Sequence, residues 1–221
     1  MRKIAAIILV LMMACSLLSV SFAEGSSDKL KLEQNGSYVV FGRYEQDNNL
    51  DNGPEPIEWI VLDVQDGKAL LLSRYGLDAK AFDGSTNVWA DCSLRAWLNN
   101  EFIHEVFNLQ ERMAILKTET DVGVQDEVFI LSYEDTDLYY SSNEGRMCAP
   151  TDYAITKGAN TNTYEISGRQ TGMWWLRPPR RSTDYAAVVC YDGSRLDLSR
   201  VDSVHYIVRP AIWLDLNAVT F

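Results

Sequence analysis

The last fifty residues constrain the fold most. Gly172-Met173-Trp174-Trp175-Leu176-Arg177-Pro178, Ala186-Ala187-Val188-Val189-Cys190-Tyr191-Asp192-Gly193 and Tyr206-Ile207-Val208-Arg209-Pro210-Ala211-Ile212-Trp213-Leu214 are short aromatic and β-branched runs divided by turn residues. Such runs form antiparallel sheet rather than helices. Upstream, Tyr38 to Gly42 reads as a first strand. Ile57 to Val64 alternates apolar and polar residues, Asp66-Gly67 offers a tight turn, and Lys68 to Ser73 continues, which predicts a hairpin.

The middle of the chain changes period. Cys92 to Phe107 places Leu94, Trp97 and Leu98, then Phe102 and Val106, on one helical face. Asn99-Asn100 interrupts that face and predicts a kink or two short helices. Asn108-Leu109-Gln110-Glu111 has the spacing of a capping box, predicting a short helix to about Lys117 with Met113 and Leu116 inward. Glu127 to Tyr133 reads as a further strand. Ser142 to Gly168, rich in Gly, Asn, Thr and Ser, reads as a long irregular loop, the kind that is usually functional or mobile.

The N-terminus has the pattern of an export signal. Arg2 and Lys3 precede an apolar run from Ile4 to Val20, and Ser21-Phe22-Ala23 is a small-x-small cleavage pattern before Glu24. Residues 1–23 are therefore expected to be removed. Residues 24–35 then form a polar, flexible leader and 36–221 a single globular domain, secreted or held at the cell envelope with no transmembrane span after cleavage. Leu11 to Cys15 offers lipidation at Cys15 as an alternative, although Ser16 to Phe22 stays apolar where a lipidated chain turns polar.

Of 20 basic and 31 acidic residues, only Arg2 and Lys3 fall in that leading segment, so the remainder carries 18 against 31, a net charge of −13. That balance argues against nucleic acid and anionic membrane surfaces as partners, which demand positive charge. Three cysteines follow residue 23, namely Cys92, Cys148 and Cys190. An odd number permits at most one internal bridge, and sequence leaves the pairing open.

Several segments together resemble one family. In order they are Phe41-Gly42-Arg43-Tyr44, Ile57-Glu58-Trp59-Ile60-Val61-Leu62, Ala69-Leu70-Leu71-Leu72-Ser73 and Ser93-Leu94-Arg95-Ala96-Trp97-Leu98-Asn99. Val128-Phe129-Ile130-Leu131-Ser132, Trp174-Trp175-Leu176-Arg177 and Val208-Arg209-Pro210-Ala211-Ile212-Trp213-Leu214 complete them. Over roughly residues 36 to 216 the chain resembles the bacterial secreted domain-of-unknown-function family 6273. That family brings no known chemistry. More distantly the layout is similar to the C-type-lectin-like fold in its formylglycine-generating-enzyme-like form. The implied fold class is α+β and C-type-lectin-like, mostly antiparallel sheet with two or three short helices and long loops. A fold alone implies no particular ligand.

Candidate ligand-binding residues are Trp174, Trp175, Arg180, Arg181 and Tyr185. Trp174 and Trp175, with Trp213, offer stacking surfaces for a sugar, and as strand neighbours they point to opposite faces, one inward and the other nearer the surface. Arg180-Arg181, in a loop after two prolines, suits a carboxylate-bearing ligand. Arg177 and Arg209 are expected to bridge groups within the fold, because a planar guanidinium suits bidentate pairing. Asp47-Asn48-Asn49-Leu50-Asp51-Asn52-Gly53 with Glu58 imitates a calcium loop. Its glycine comes one position late, however, and Pro54 and Pro56 intrude, so a polar loop is the better account.

His104 and His205 are the only histidines, and His205 near Asp202 and Ser203 is adjacency rather than a triad. There is no Gly-rich phosphate loop, metal-binding His pair or nucleophile elbow. The sequence therefore assigns no catalytic residue, metal site or cofactor. It predicts a non-catalytic module for an extracellular glycan, cell-wall or protein ligand. The alternatives are a structural surface protein and a formylglycine-generating-type copper oxidase. The oxidase family uses two closely spaced cysteines, whereas Cys148 and Cys190 lie forty-two residues apart.

Overall fold

The computed structural model describes residues 38–177 and 184–219. The first strand, β1 (Tyr38–Tyr44), pairs with β2 (Glu55–Gln65), which turns back into β3 (Lys68–Ser73). Asp66 and Gly67 make that turn with φ of 50° and 74°, the left-handed pair that a tight hairpin of right-handed twist requires. β4 (Asp78–Ala79) follows. After a 3-10 turn at Trp89–Asp91, α1 (Ser93–Trp97) widens into a π turn at Leu98–Phe102 before α2 (Ile103–Val106).

The predicted kink is this π turn, and Asn99 explains it. Its Nδ2 donates to Arg95 O (3.1 Å) and Val128 O (2.8 Å), while its Oδ1 accepts from Glu127 N (3.0 Å) and Val128 N (3.2 Å). An amide that serves a neighbouring segment from inside a helix disturbs the regular ladder.

α3 (Leu109–Ala114) opens on the predicted capping box. Asn108 Oδ1 accepts from Glu111 N (3.0 Å) and Glu111 Oε2 accepts from Asn108 N (2.8 Å). The helix ends sooner than its spacing predicts, because Ile115–Leu116 become β5 and pair with Leu214 and Trp213. That switch of period puts Ala114 and Ile115 inside and leaves Met113 72% exposed, so the inward placement of Met113 is corrected. β6 (Thr118–Asp121) and β7 (Val124–Asp126) form a small hairpin.

Glu127 to Tyr133 is not a strand. Val128 to Leu131 is buried, but its backbone groups go to isolated partners: Phe129 exchanges hydrogen bonds with Ala211, and Arg177 N donates to Leu131 O (2.9 Å). At Ser132 a second capping box, with Asp135, starts α4 (Tyr133–Tyr139), which the apolar run concealed. The stretch 142–168 is likewise not an irregular loop. It contains α5 (Asn143–Arg146), α6 (Asp152–Thr156) and β8 (Thr161–Ile166), which turns through Ser167-Gly168, with φ of 53° and 76°, into β9 (Arg169–Gly172).

The closing strands are β10 (Trp174–Leu176), β11 (Tyr185–Val189), β12 (Arg195–Arg200), β13 (Ile207–Val208) and β14 (Ala211–Asp215). They build two five-stranded sheets, ordered β1-β2-β3-β14-β5 and β12-β11-β10-β13-β4. Among the described residues, pairing between these strands is antiparallel except for β10 with β13. The result is a strand-rich α+β domain. One continuous apolar core runs between the sheets and helices, from Phe41 and Trp59 through Phe102 and Phe107 to Trp174 and Trp175.

Candidate functional site

The expectation that one of Trp174 and Trp175 approaches the surface is corrected: both are fully buried. They sit on the central strand of the second sheet, which is covered on both faces. Trp174 donates from Nε1 to Arg146 O (3.0 Å) under the Arg209 guanidinium. Trp175 donates to Lys80 O (2.8 Å) and packs edge-on against Phe82 and Tyr206. Tyr185 opens β11 half-buried, its carbonyl accepting from Asn87 Nδ2 (2.8 Å). Trp213 is half-buried beneath the Lys68 ammonium. Arg180 and Arg181 lie outside the described residues.

Both internal arginines bind within the fold, but only Arg177 bridges several groups as expected. Arg177 pairs with Asp135 (3.0 Å) and donates from Nε to Ile130 O (2.8 Å) and from Nη1 to Thr120 O. Arg209 is buried, donates from Nε to Ser73 O (2.9 Å) and stacks on Trp174.

The calcium-like residues are not gathered as a loop of that kind. Glu58 points to Arg74, while Asp47 meets Glu45 and Glu55, with carboxylate oxygens of the three within 4.8 Å of one another. Loop amides serve these oxygens: Glu55 Oε2 accepts from Gln46 N (2.7 Å) and Glu45 Oε1 from Asn49 N (3.0 Å). The cluster shapes the β1–β2 connection.

Cys92, Cys148 and Cys190 are free thiols. Burial pushes the Cys92 thiol up to about 12 and also raises Cys148, the opposite of what a nucleophile or metal-binding thiolate needs. His205 contacts Gly158 O and Asp202 pairs with Arg200, so no relay joins them.

What the fold does assemble at its surface is a row of alternating aromatic rings and guanidinium groups. Arg74 lies 4.6 Å from the Tyr38 ring centre and 5.1 Å from that of Tyr75, and Arg169 lies 5.8 Å from Tyr75. Carboxylates complete it: Arg74 Nη1 meets Glu58 Oε2 at 2.6 Å, and Arg169 Nη2 meets Asp152 Oδ1 at 2.5 Å.

Strand register explains the first half of the row. Val40 faces Glu58 and Tyr38 faces Ile60, so Tyr38, Val40 and Glu58 share the outward face. Arg74 extends that face from the end of β3, its backbone N–H bound to Glu58 O (2.9 Å). Arg169 comes from the β8–β9 hairpin. Burial works against the Arg74 cation, but Glu58 outweighs it and raises its pKa above the ordinary value. Tyr38 is 41% exposed, so the row combines ring surface, fixed cations and acceptor oxygens accessible to a ligand. Sequence reasoning missed it because its rings and cations come from three segments and its carboxylates from two more. The Arg74-Tyr75 adjacency was the only local signal.

A second polar cluster lies behind the start of the β1–β2 loop. Tyr44 Oη donates to Asp78 Oδ2 (2.7 Å), both residues being buried, and Tyr44 packs edge-on against Tyr153. Burial and the Asp78 carboxylate hold the Tyr44 phenol un-ionised far beyond its ordinary range. Glu105 is raised by burial and by Asp78, against the pull of Lys157 and Lys80. Beside Glu105, an open cleft of ≈ 470 Å³ runs along β1 between Val40–Arg43 and the 104–108 segment.

Fold and surface together define a strand-rich α+β domain with a built aromatic–guanidinium face. The chain matches the model of the domain-of-unknown-function family DUF6273 over residues 66–216, and it belongs to that family. No curated protein and no solved structure matches it. Among the described residues no helix is long and apolar enough to cross a membrane.

Proposed function

We propose that the chain is an exported, non-catalytic binding module whose ligand is an extracellular glycan or cell-wall polymer carrying acidic groups. The observation that carries this reading is the Tyr38–Arg74–Tyr75–Arg169 row. Tyrosine rings stack on the apolar faces of sugars, Glu58 and Asp152 accept from hydroxyls, and guanidinium groups pair with carboxylate or phosphate. Export rests on residues 1–23, with cleavage after Ala23. A C-type-lectin-like organisation, with strands supporting a surface of loop-borne side chains, suits the role. Arg180, Arg181 and Tyr185 belong to the proposal as a second contact region.

The test is binding of the exported chain to arrayed glycans and cell-wall polysaccharides, with calcium and with EDTA. Selective binding lost in Tyr75→Ala and Arg74→Ala, but kept in Arg180→Ala/Arg181→Ala, supports the row. Binding lost only in the latter moves the site to the 178–183 segment. A blank array refutes the glycan reading, and self-association in its place points to a structural surface protein. Loss in EDTA assigns a role to calcium.

A further inference from the structure

We propose that Asn52 is a modification site: its side-chain amide is lost through attack by the Gly53 backbone nitrogen, and the carboxylate left behind loosens the β1–β2 connection. The site is separate from the aromatic–guanidinium row and independent of the glycan proposal.

Asn52 is exposed, and its N–H donates to Asn49 O (3.2 Å), which closes a turn. The chain then passes through Gly53 with φ of 77°. Among the described residues nothing accepts from the Gly53 N–H, and no atom lies within 4 Å of where a Cβ on Gly53 would stand. Both facts matter because the nitrogen of the following residue is the attacking atom. A side chain at position 53 would crowd closure of the five-membered ring, and a hydrogen-bonded N–H would resist losing its proton. Asp83-Gly84 and Asp192-Gly193 could close the same ring but are held back. Gly193 N donates to Cys190 O (2.9 Å), and the Asp83 carboxylate accepts from the N–H groups of Ser85, Thr86 and Ser93. A carboxylate is also a poorer electrophile than an amide.

The step needs only water. Gly53 N gives up its proton and bonds to Asn52 Cγ. The bond from Cγ to Nδ2 breaks, and the amide nitrogen leaves with that proton as ammonia. Water then opens the cyclic imide, leaving aspartate if it attacks one carbonyl and an isoaspartyl link if it attacks the other. Nothing is oxidised or reduced. In either product the side-chain donor is gone. In the unmodified chain Asn52 Nδ2 donates to Asp47 Oδ2 (2.8 Å), and this bond is the largest cause that holds the Asp47 carboxyl below its ordinary range. Conversion sets two like charges against each other there, beside the carboxylates of Glu45 and Glu55. The connection is fastened to α6 by Tyr153 N on Gln46 O (3.0 Å) and by Thr156 Oγ1 on Asn48 Oδ1 (3.2 Å), so loosening it weakens that junction.

The experiment ages the full exported chain in neutral and in mildly alkaline buffer. Peptide mass spectrometry follows each asparagine, enzymatic methylation marks isoaspartate, and hydrogen exchange is read before and after. The expected conversion at Asn52 is at least about tenfold faster than at Asn48 or Asn49 of the same connection, each followed by a residue with a Cβ, and it rises with hydroxide concentration. The aged chain, and Asn52→Asp without ageing, then exchange the Gln46 and Asn49 amides at least about threefold faster, while the β2–β3 amides are unchanged. Asn52→Gln, whose longer side chain closes the ring far more slowly, shows no change on ageing. Conversion no faster at Asn52 than at Asn49 overturns the site, as does conversion confined to Asn35, which also precedes a glycine. Conversion of Asn52 with unaltered exchange overturns the loosening of the connection.

Discussion

Replacing Asp126 with alanine gives the sharpest test of how the helical middle is held to the sheets. Its carboxylate is 1% exposed and accepts from Arg95 Nε (2.6 Å), Trp89 Nε1 (2.8 Å) and Thr120 Oγ1 (2.5 Å). One side chain thus ties α1, the 3-10 turn and the β6–β7 hairpin together. Without it the Trp89 N–H loses its shorter hydrogen bond and keeps only Thr120 Oγ1, at 3.2 Å, as a partner. Loss of a buried hydrogen bond to a charged acceptor costs about 1.5–3 kcal/mol. The Arg95 side chain is 26% exposed and can turn to water, so its loss adds only about 1 kcal/mol. The expected destabilisation is therefore about 2–4 kcal/mol. Asp126→Asn keeps one acceptor and should cost about half as much. Trp89→Phe in the Asp126→Ala background removes the donor whose hydrogen bond is lost, so the two changes together should cost less than their sum by about 1 kcal/mol. Urea unfolding followed by circular dichroism, with an unchanged m value, reads each quantity. An Asp126→Ala chain within about 0.5 kcal/mol of the parent would refute the reasoning.

Other outcomes follow from single contacts. A methyl group at Gly76 would lie 2.4 Å from Ile207 Cδ1, so Gly76→Ala should cost about 1–3 kcal/mol, with partial recovery in Ile207→Val; an unchanged Tm contradicts this. Among the three thiols, Cys190 should react first with iodoacetamide in the native state, because Cys92 and Cys148 are buried and held protonated; early labelling of Cys148 would be incompatible with the packing. At Asp83, burial pushes the carboxyl up, but N–H donors from Ser85 (2.8 Å), Ser93 (2.8 Å) and Thr86 (3.1 Å) outweigh it and leave the group below its ordinary range. Its stabilising contribution is present above the unfolded-state carboxylate range and is lost as pH falls through the lower folded value. Asp83→Asn should therefore flatten the acid limb of the stability curve, and an identical acid slope in parent and variant would rule this out.

Local chemistry was legible in the residues themselves. Asp66-Gly67 determined a hairpin because few other residues accept two consecutive left-handed conformations. Asn108 and Glu111 determined a helix start because each satisfies an amide of the other. The kink at Asn99 was also visible, though not its cause, since the carbonyl and amide that hold Asn99 lie near residue 128. Where a second capping box lay under an apolar run, at Ser132 and Asp135, hydrophobicity pointed to a strand and the backbone partners decided for a helix.

Burial and convergence belonged to the tertiary structure. Trp174 and Trp175 alternate as any strand pair does, and only a sheet covered on both faces buries both. The same assembly brings Tyr38, Arg74, Tyr75 and Arg169 within stacking distance although the first and last are 131 residues apart. Sequence by itself determined the strand-rich α+β character, the turns and the caps, because these depend on neighbours a few residues away. Which aromatic rings pack inside and which cations and carboxylates meet at the surface depend on strand order and register, which exist only once the chain has closed on itself.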